Sequence, residues 1–182
     1  TLAKPDDEIT LSITSREAIK TPSVSIAGQA VEASSVDNIT WSAIYTMKDN
    51  DTEGSVSLNI GFFDLAGNPG SAVDNTTNGS AVRFDNTDPT LPSVTIASNN
   101  TLYTTMAKTG DNITLSFTSS EAIQTPTVTI AGHDVTETGD NRTWSAVYTM
   151  VSTDSEEPVS LNIEFKDLAG NPGSAVTSTI GG

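Results

Sequence analysis

Apolar and polar residues alternate at every second position along much of the chain. Ile9, Leu11 and Ile13 are separated by threonine and serine, and the same period returns over residues 41–47 and 56–62. A period of two places the apolar side chains on one face of a β-strand. Turn-forming glycine, proline, asparagine and aspartate separate these segments, and no segment has the 3.6-residue period of a helix. The pattern therefore predicts an all-β protein.

The chain contains two copies of one repeat. The sequence DLAGNPGSAV occurs at 64–73 and again at 167–176, and the sequence ITLS occurs at 9–12 and again at 113–116. Each copy spans about 100 residues, which is long enough to bury its own core. Tandem repeats of this length are typical of modular arrays in which one unit follows another. We therefore predict two domains, residues 1–87 and 88–182.

Taken together, the two copies give seven short strands for one complete repeat, which predicts a Greek-key β-sandwich of the immunoglobulin type. The predicted strands A to F lie in the second repeat at 93–98, 112–118, 125–130, 134–136, 142–150 and 158–166, and strand G lies in the first repeat at 81–84. The first repeat starts at a position equivalent to residue 105, so we expect it to lack strand A. By the same comparison we expect the second repeat to lack strand G.

Composition narrows the classes of function. The 182 residues include 23 acidic and 8 basic side chains, a net charge of −15, and this excludes a basic surface for nucleic acid. There is no cysteine for a disulfide or a zinc–thiolate site, and no apolar stretch approaches the length that would insert in a membrane. His133 is the single histidine, and no nucleophile or phosphate-loop motif accompanies it. We therefore expect a protein that is not an enzyme.

Several segments carry a resemblance to a known family. The second repeat reads SSEAI, TPTVTIAG, TWSAVYTM and SLNIEFKDLAGNPG, and the segment FDNTDPT at 84–90 joins the two copies. These segments resemble the bacterial immunoglobulin-like repeat domains of large surface adhesins and secreted repeat proteins. The resemblance implies an extracellular or cell-surface location and modules joined end to end. It also implies calcium as a cofactor at module junctions, as in some members of that family.

Acidic residues concentrate where the loops of the predicted sandwich should meet. In an antiparallel A-to-G order the B–C, D–E and F–G loops lie at the end where strand A begins. Carboxylate and amide oxygens are the ligands that calcium prefers, six to eight in all. The candidate ligands at the junction are Asp85, Asp88, Glu121, Asp167 and Asn171, with Glu17, Asp64 and Asn68 at the equivalent positions of the first repeat. A purely structural turn, in which the aspartate accepts backbone N–H bonds, explains the same residues.

Three function hypotheses remain open from the sequence. The first is a structural spacer or stalk of a bacterial surface or secreted adhesin, stiffened by calcium and contacting neighbouring modules of the same protein. The second is direct recognition of a glycan or host receptor, and the third is an accessory domain of a secreted polysaccharide-degrading enzyme. Trp41 and Trp144 alternate in register with apolar neighbours, which favours core packing over a sugar-stacking platform. Unpaired terminal edges also predict self-association through edge strands.

Overall fold

The computed structural model describes residues 1–181, and they form sixteen strands and no helix. No helix among them could therefore cross a membrane. The chain divides into two compact units, unit 1 from Thr1 to Asn86 and unit 2 from Thr87 onward. Each unit has its own buried apolar core.

The strands of unit 1 are β1 (Leu2–Ala3), β2 (Glu8–Thr14), β3 (Ser23–Ile26), β4 (Gln29–Val31), β5 (Ala33–Ser35), β6 (Thr40–Thr46), β7 (Gly54–Ser55), β8 (Leu58–Gly61) and β9 (Arg83–Phe84). The strands of unit 2 are β10 (Ser93–Ser98), β11 (Asn112–Thr118), β12 (Thr127–Ile130), β13 (His133–Val135), β14 (Glu137–Gly139), β15 (Thr143–Thr149) and β16 (Leu161–Glu164).

Unit 2 is a sandwich of two antiparallel sheets. One sheet has the order β10-β11-β15-β14, and the other has the order β13-β12-β16. Alternate side chains of β11 point into the core, where Ile113, Leu115 and Phe117 are buried, and Trp144 on β15 is 6% exposed. The sheets correspond to strands A-B-E-D and to a C-F pair extended by one short strand. The predicted all-β, immunoglobulin-like sandwich is confirmed.

The predicted strand D, a single piece at 134–136, is wrong in detail. The structure has two strands here, and they belong to different sheets: β13 pairs with β12, whereas β14 pairs with β15. The chain crosses from one sheet to the other at Thr136. Residues 133–135 and 137–139 therefore face different sheets, and the polar–apolar alternation is interrupted between them. The two strands that we call C and F are also shorter than predicted, and they are β12 and β16.

Unit 1 repeats this architecture with a different set of terminal strands. Its two main sheets are β2-β6-β5 and β4-β3-β8, and a third small sheet has the order β1-β9-β7. Within residues 1–86, all of which are described, no strand corresponds to β10, so β2 is an edge strand. Among the described residues of unit 2, no strand corresponds to β9, which is the predicted strand G. Both features agree with the predicted strand complement.

The turn between β3 and β4, like that between β12 and β13, holds an alanine at positive φ. Ala27 and Ala131 both have φ of 53°, each followed by a glycine at positive φ. A non-glycine residue in this region costs about 1–2 kcal/mol, and asparagine tolerates it better than alanine. We expect Ala131→Asn to stabilise unit 2 by about 0.5–1 kcal/mol, seen as a later midpoint in urea. Ala33→Asn, at a half-buried position in a strand, should not stabilise unit 1.

Candidate functional site

Three loops and the segment before β10 meet at one end of unit 2. Ser120 exchanges two hydrogen bonds with Thr90, its N–H donating to the Thr90 carbonyl at 2.8 Å and its Oγ accepting from the Thr90 N–H at 3.0 Å. The Ile123 N–H donates to the Asn141 carbonyl, and Ile123 forms a bridge with Asp167. We call this set (Thr90 with residues 119–124, 139–142 and 167–171) the loop end of unit 2. The predicted convergence of the B–C, D–E and F–G loops is therefore present within unit 2.

Asp167 organises the turn that carries the repeated decapeptide. Its Oδ1 accepts the N–H groups of Gly170 at 2.5 Å and Asn171 at 2.8 Å, and its Oδ2 accepts the Asn171 Nδ2 amide at 2.7 Å. Gly170 has φ of 102°, which only glycine adopts without strain. A Cβ on Gly173 would lie 2.1 Å from the Phe165 ring, so glycine is needed there for the turn to close on the core. Asp, Asn and both glycines are thus accounted for by the turn itself.

The same turn exists in unit 1 but in a different setting. Asp64 accepts Gly67 N–H, Asn68 N–H and the Asn68 Nδ2 amide, all within 2.7 Å. Bonds from the Asn68 side chain and then from backbone N–H groups lower the pKa of Asp64. Asp64 is half-buried and Asn68 is exposed, whereas Asp167 is 1% and Asn171 4% exposed. Two identical sequences therefore place one carboxylate where it is half-buried and the other in the protein interior.

Glu121 and Asp167 are the predicted metal ligands that unit 2 brings together. One carboxylate oxygen of each lies within 4.8 Å of the other, and Glu121 is half-buried. Two carboxylates this close repel each other unless a cation or a proton lies between them. Asp88, also in unit 2, is exposed. Asp85 belongs to unit 1, where it follows β9 and its N–H donates to the Ala3 carbonyl at 2.9 Å.

Glu17 occupies the position in unit 1 that Glu121 occupies in unit 2. It is exposed, and it lies in the loop in which the Ser15 hydroxyl donates to the Glu17 carbonyl at 2.6 Å. The equivalent Ser119 hydroxyl donates to the Glu121 carbonyl. These serine bonds hold the two loops in the same way. The difference between the two positions is therefore one of exposure.

Two further aspartates, one in each unit, brace loops that are not part of the loop end of unit 2. The Tyr148 hydroxyl donates to Asp154, and the His133 ring lies parallel to Tyr148 with centroids 5.0 Å apart and Nε2 3.1 Å from Asp154. In unit 1 the Tyr45 hydroxyl donates to the buried Asp51. Burial, and after it the adjacent aspartate, raises the pKa of each tyrosine. His133 thus belongs to a loop brace.

Both tryptophans lie in the cores, as predicted. Trp41 is 5% and Trp144 6% exposed, and each is opposite an apolar residue of the neighbouring strand. A Cβ on Gly139 would lie 2.5 Å from the Trp144 ring, so the cross-strand glycine makes room for it. Neither tryptophan offers a surface on which a sugar ring could stack.

Four aspartates have a pKa below the usual value. Backbone N–H bonds are the main cause for Asp37 and Asp154, the Asn68 amide for Asp64 and the Lys108 ammonium for Asp111. A carboxylate whose pKa is lower in the folded than in the unfolded state stabilises the fold above the unfolded pKa. That stabilisation disappears as the pH falls through the folded pKa.

We therefore expect the chain to lose stability steadily as the pH drops below about 4. Urea unfolding at intervals between neutral and acidic pH measures the loss. Asp37→Asn should reduce the loss of stability that unit 1 undergoes as the pH falls, because the amide has no charge to lose. Asn50→Ser, at an exposed position of the same unit, removes no charge and serves as the control for the substitution itself. If Asp37→Asn loses stability with falling pH as steeply as the unaltered chain, ionised Asp37 does not stabilise unit 1.

Sequence reasoning did not single out two residues that build the loop end of unit 2. The Gln124 side chain donates from Nε2 to the Asp167 carbonyl at 2.8 Å. Asn141 has φ of 74° and its carbonyl accepts the Ile123 N–H at 2.8 Å. The asparagine in a GDNR sequence is a turn signal that could have been used. Gln124 has no such signal, because lysine stands at the equivalent position 20 of unit 1.

Comparison with known proteins gives structural likeness without close relatives. No family model matches the chain, and no curated protein matches it. Rst D1-D2 matches 99% of this chain and 93% of its own at 12% identity, with a TM-score of 0.42. A chicken TCR matches 100% of this chain and 96% of its own at 13% identity, with a TM-score of 0.33. SGBP-B of the Bacteroides ovatus mixed-linkage glucan utilization locus, solved with a mixed-linkage heptasaccharide, matches 99% of this chain and 43% of its own at 16% identity, with a TM-score of 0.29.

Proposed function

We propose that the two units are structural spacer modules of an extracellular bacterial surface or secreted protein. The observation that carries the proposal is the pairing of β1 with β9 in unit 1. These strands lie near the two ends of the unit and are parallel, with Leu2 opposite Arg83 and Ala3 opposite Phe84. Tension applied to the two ends of a parallel pair loads its hydrogen bonds together, in shear, and does not peel them one at a time.

The use of the acidic residues supports a structural role. In unit 1, Asp7, Asp51 and Asp64 accept bonds from backbone N–H groups of their own loops. In unit 2, Asp111 and Asp167 do the same. The carboxylates that a hydrolase would direct into a cleft are here engaged in shaping loops. This supports the expectation that the chain is not an enzyme.

Single-molecule force spectroscopy of the full chain tests the spacer proposal. We expect two discrete unfolding events, each releasing about 300 Å of chain, since an extended residue spans at most about 3.5 Å. Arg83→Pro removes the N–H that donates to the Thr1 carbonyl at 2.9 Å, and should lower the rupture force of one event only. Extension without force peaks would overturn the proposal.

We further propose calcium as a ligand of the loop end of unit 2. The residues fit the ion in chemistry, since Glu121 and Asp167 are hard oxygen donors held within 4.8 Å of each other and Asp167 is buried. Glu121, Asp167 and Asn171 would hold the ion. A contribution from Asp85 and Asp88 stays a prediction from the sequence.

Calorimetry of the full chain with calcium or with a chelator tests this. For a site with a Kd of about 10⁻⁴–10⁻³ M, 10 mM calcium should stabilise unit 2 by about 1.4–2.7 kcal/mol. Glu121→Gln should abolish the shift, and Glu17→Gln, its counterpart in unit 1, should retain it. A melting profile that calcium leaves unchanged would mean that the Asp167 turn is structural only.

One observation favours direct recognition as a second candidate function. The loop between β10 and β11 exposes three large apolar side chains: Leu102 is 82%, Tyr103 65% and Met106 64% exposed. An exposed aromatic ring with apolar neighbours can stack on a sugar or pack on a protein surface. Binding of the full chain to a glycan array, lost in Tyr103→Ala and retained in Thr101→Ala, would support this candidate. Absence of any binding would favour the spacer role alone.

A further inference from the structure

The segment between β8 and β9 in unit 1 contains a loop that is tied to the fold at both ends and exposed at its tip. Val73 exchanges two backbone hydrogen bonds with Ile60, at 2.8 and 3.0 Å, and the Val82 carbonyl accepts the Val56 N–H at 3.0 Å. Between these two anchors, residues 77–81 are exposed. We call residues 74–81 the tip loop. Its covalent structure can change in contact with water while the core of unit 1 stays closed.

The tip loop holds the one asparagine of the sequence that is followed by glycine, Asn78 before Gly79. A side-chain amide is open to attack by the backbone nitrogen of the next residue, and a side chain on that residue hinders the approach. Gly79 has none: the space that a Cβ would take has no atom within 4 Å, and the backbone has φ of 71°. The nitrogen of Gly79 is therefore the least hindered nucleophile that any asparagine of this chain has beside it.

A hydrogen bond folds the Asn78 side chain back over the peptide that follows it. The Asn78 Oδ1 accepts the Ser80 N–H at 3.0 Å, and the ring of atoms that this bond closes includes the Gly79 nitrogen. The same bond polarises the amide carbonyl and stabilises negative charge on Oδ1 when a nucleophile adds to Cγ. The Thr76 hydroxyl donates to the Ser80 carbonyl at 2.6 Å and holds the other side of the turn. The tip loop thus presents Cγ to the neighbouring nitrogen.

Other asparagines of the chain lack this combination. Asn68 and Asn171 precede prolines, whose nitrogen carries no proton to lose. Asn75 lies in the same tip loop and is also exposed, but a β-branched residue, Thr76, follows it. Its Nδ2 amide donates to Asp74 at 2.7 Å, which holds the side chain towards the preceding residue. Asn75 is therefore a matched internal comparison for Asn78.

We propose that Asn78 is a modification site, at which the folded protein undergoes deamidation and isomerisation of the backbone without an enzyme. The Gly79 nitrogen gives up its proton and bonds to Asn78 Cγ, the bond from Cγ to Nδ2 breaks, and ammonia leaves. One water then opens the cyclic imide. Cleavage of the bond from the nitrogen to Cγ gives aspartate, and cleavage of the bond to the main-chain carbonyl gives isoaspartate. One water is consumed for each ammonia released, and nothing is oxidised or reduced.

Both products change the tip loop. Each adds one negative charge to a chain whose net charge is already −15. Isoaspartate also routes the main chain through the former side chain, which lengthens the loop by one carbon between its two anchors. The bond between Thr76 and Ser80 depends on the length of the main chain between them, so it should be lost in the isoaspartate form. The reaction therefore gives unit 1 a slow and irreversible change of charge and loop shape.

Incubation of the full chain in mildly alkaline buffer, followed by peptide mapping with mass spectrometry, tests the proposal. Residue 78 should show the mass gain of replacing an amide by a carboxylate before any other asparagine does. The rate should rise with pH, because the Gly79 nitrogen must lose its proton. In heavy-oxygen water each event should incorporate one labelled oxygen. An aspartate-specific protease should cut the aspartate product and leave the isoaspartate product uncut.

Two variants of the exposed tip separate this reaction from general damage. Gly79→Ala should slow conversion at Asn78 at least about tenfold, since the added Cβ raises the barrier to ring closure. Asn78→Gln keeps the amide but would have to close a larger ring, so it should stay unmodified under the same conditions. Both variants should melt with the unaltered chain, because the side chains of residues 78 and 79 lie outside the core. An intact Asn78, conversion at Asn75 at an equal rate, or conversion only after the chain is unfolded in urea would overturn the proposal.

Discussion

Unit 1 should unfold at a lower temperature than unit 2, so that calorimetry of the full chain resolves two transitions. The cause is the difference between the two cores. Ile9, Leu11 and Ile13 of unit 1 are half-buried, whereas their counterparts in unit 2 are almost completely buried beneath β10. Full burial of an aliphatic side chain contributes about 1.5–3 kcal/mol, so half-burial of three forgoes about 3 kcal/mol.

The separation of the two transitions follows from that free energy. For a domain of this size 1 kcal/mol corresponds to about 4–8 °C, so the lower transition should precede the upper by about 10–20 °C. The backbone groups along the free edge of β2 act in the same direction, since in unit 2 their counterparts are paired with β10. Amide exchange should accordingly be faster on β2 than on β11.

A matched pair of core variants assigns the transitions. Val24 and Val128 occupy the same position of their repeats, opposite Ile60 and Ile163 respectively. Both are buried, at 5% and 1% exposure. Val24→Ala should shift only the lower transition and Val128→Ala only the upper one. A single transition that both variants shift together would mean that the units do not unfold independently and that the half-burial of β2 does not limit the stability of unit 1.

The regular elements of the fold could be predicted from the sequence because their signals are local. β10 and β11 coincide with the predicted strands, since both have strict alternation with one buried face. The pairing of β1 with β9 could not be predicted. Each of these strands has two residues, too few for a period, and they are far apart in the sequence. Their pairing is set by tertiary structure and leaves no pattern in the chain.

The candidate site shows a second limit of sequence reasoning. The decapeptide predicts the turn correctly in both copies, because Asp, Gly and Asn act within five residues of one another. It cannot predict the burial of the carboxylate, since the two copies are identical and yet Asp64 is half-buried and Asp167 is completely buried. Exposure depends on what covers the turn, and in unit 2 the nearby Thr90 segment is bonded to the adjacent loop. Position in the tertiary structure therefore distinguishes the two copies.

That difference leads to the second large expected effect. Asp167→Ala should destabilise unit 2 far more than Asp64→Ala destabilises unit 1, although each removes the same three hydrogen bonds. In the buried turn the N–H groups of Gly170 and Asn171 lose their carboxylate acceptor where water does not readily replace it. Leaving such groups unsatisfied costs about 1–3 kcal/mol each, so a loss of about 3 kcal/mol or more is expected for Asp167→Ala. In the turn of unit 1, where Asp64 is half-buried and Gly67 and Asn68 are exposed, water replaces the carboxylate more readily.

Glu121 reduces the loss of stability expected for Asp167→Ala, and its own variant provides the control. Its carboxylate lies within 4.8 Å of Asp167, so removing Asp167 also relieves a repulsion between like charges. If calcium is bound, Glu121→Gln should therefore cost less stability when it is added to Asp167→Ala than when it is made alone. If no cation is present, Glu121→Gln alone should stabilise unit 2, because the repulsion disappears. Urea unfolding of the unaltered chain, the two single variants and the double variant, with calcium and with chelator, gives the coupling free energy between Asp167 and Glu121. Equal losses of stability for Asp64→Ala and Asp167→Ala would refute the role assigned to burial.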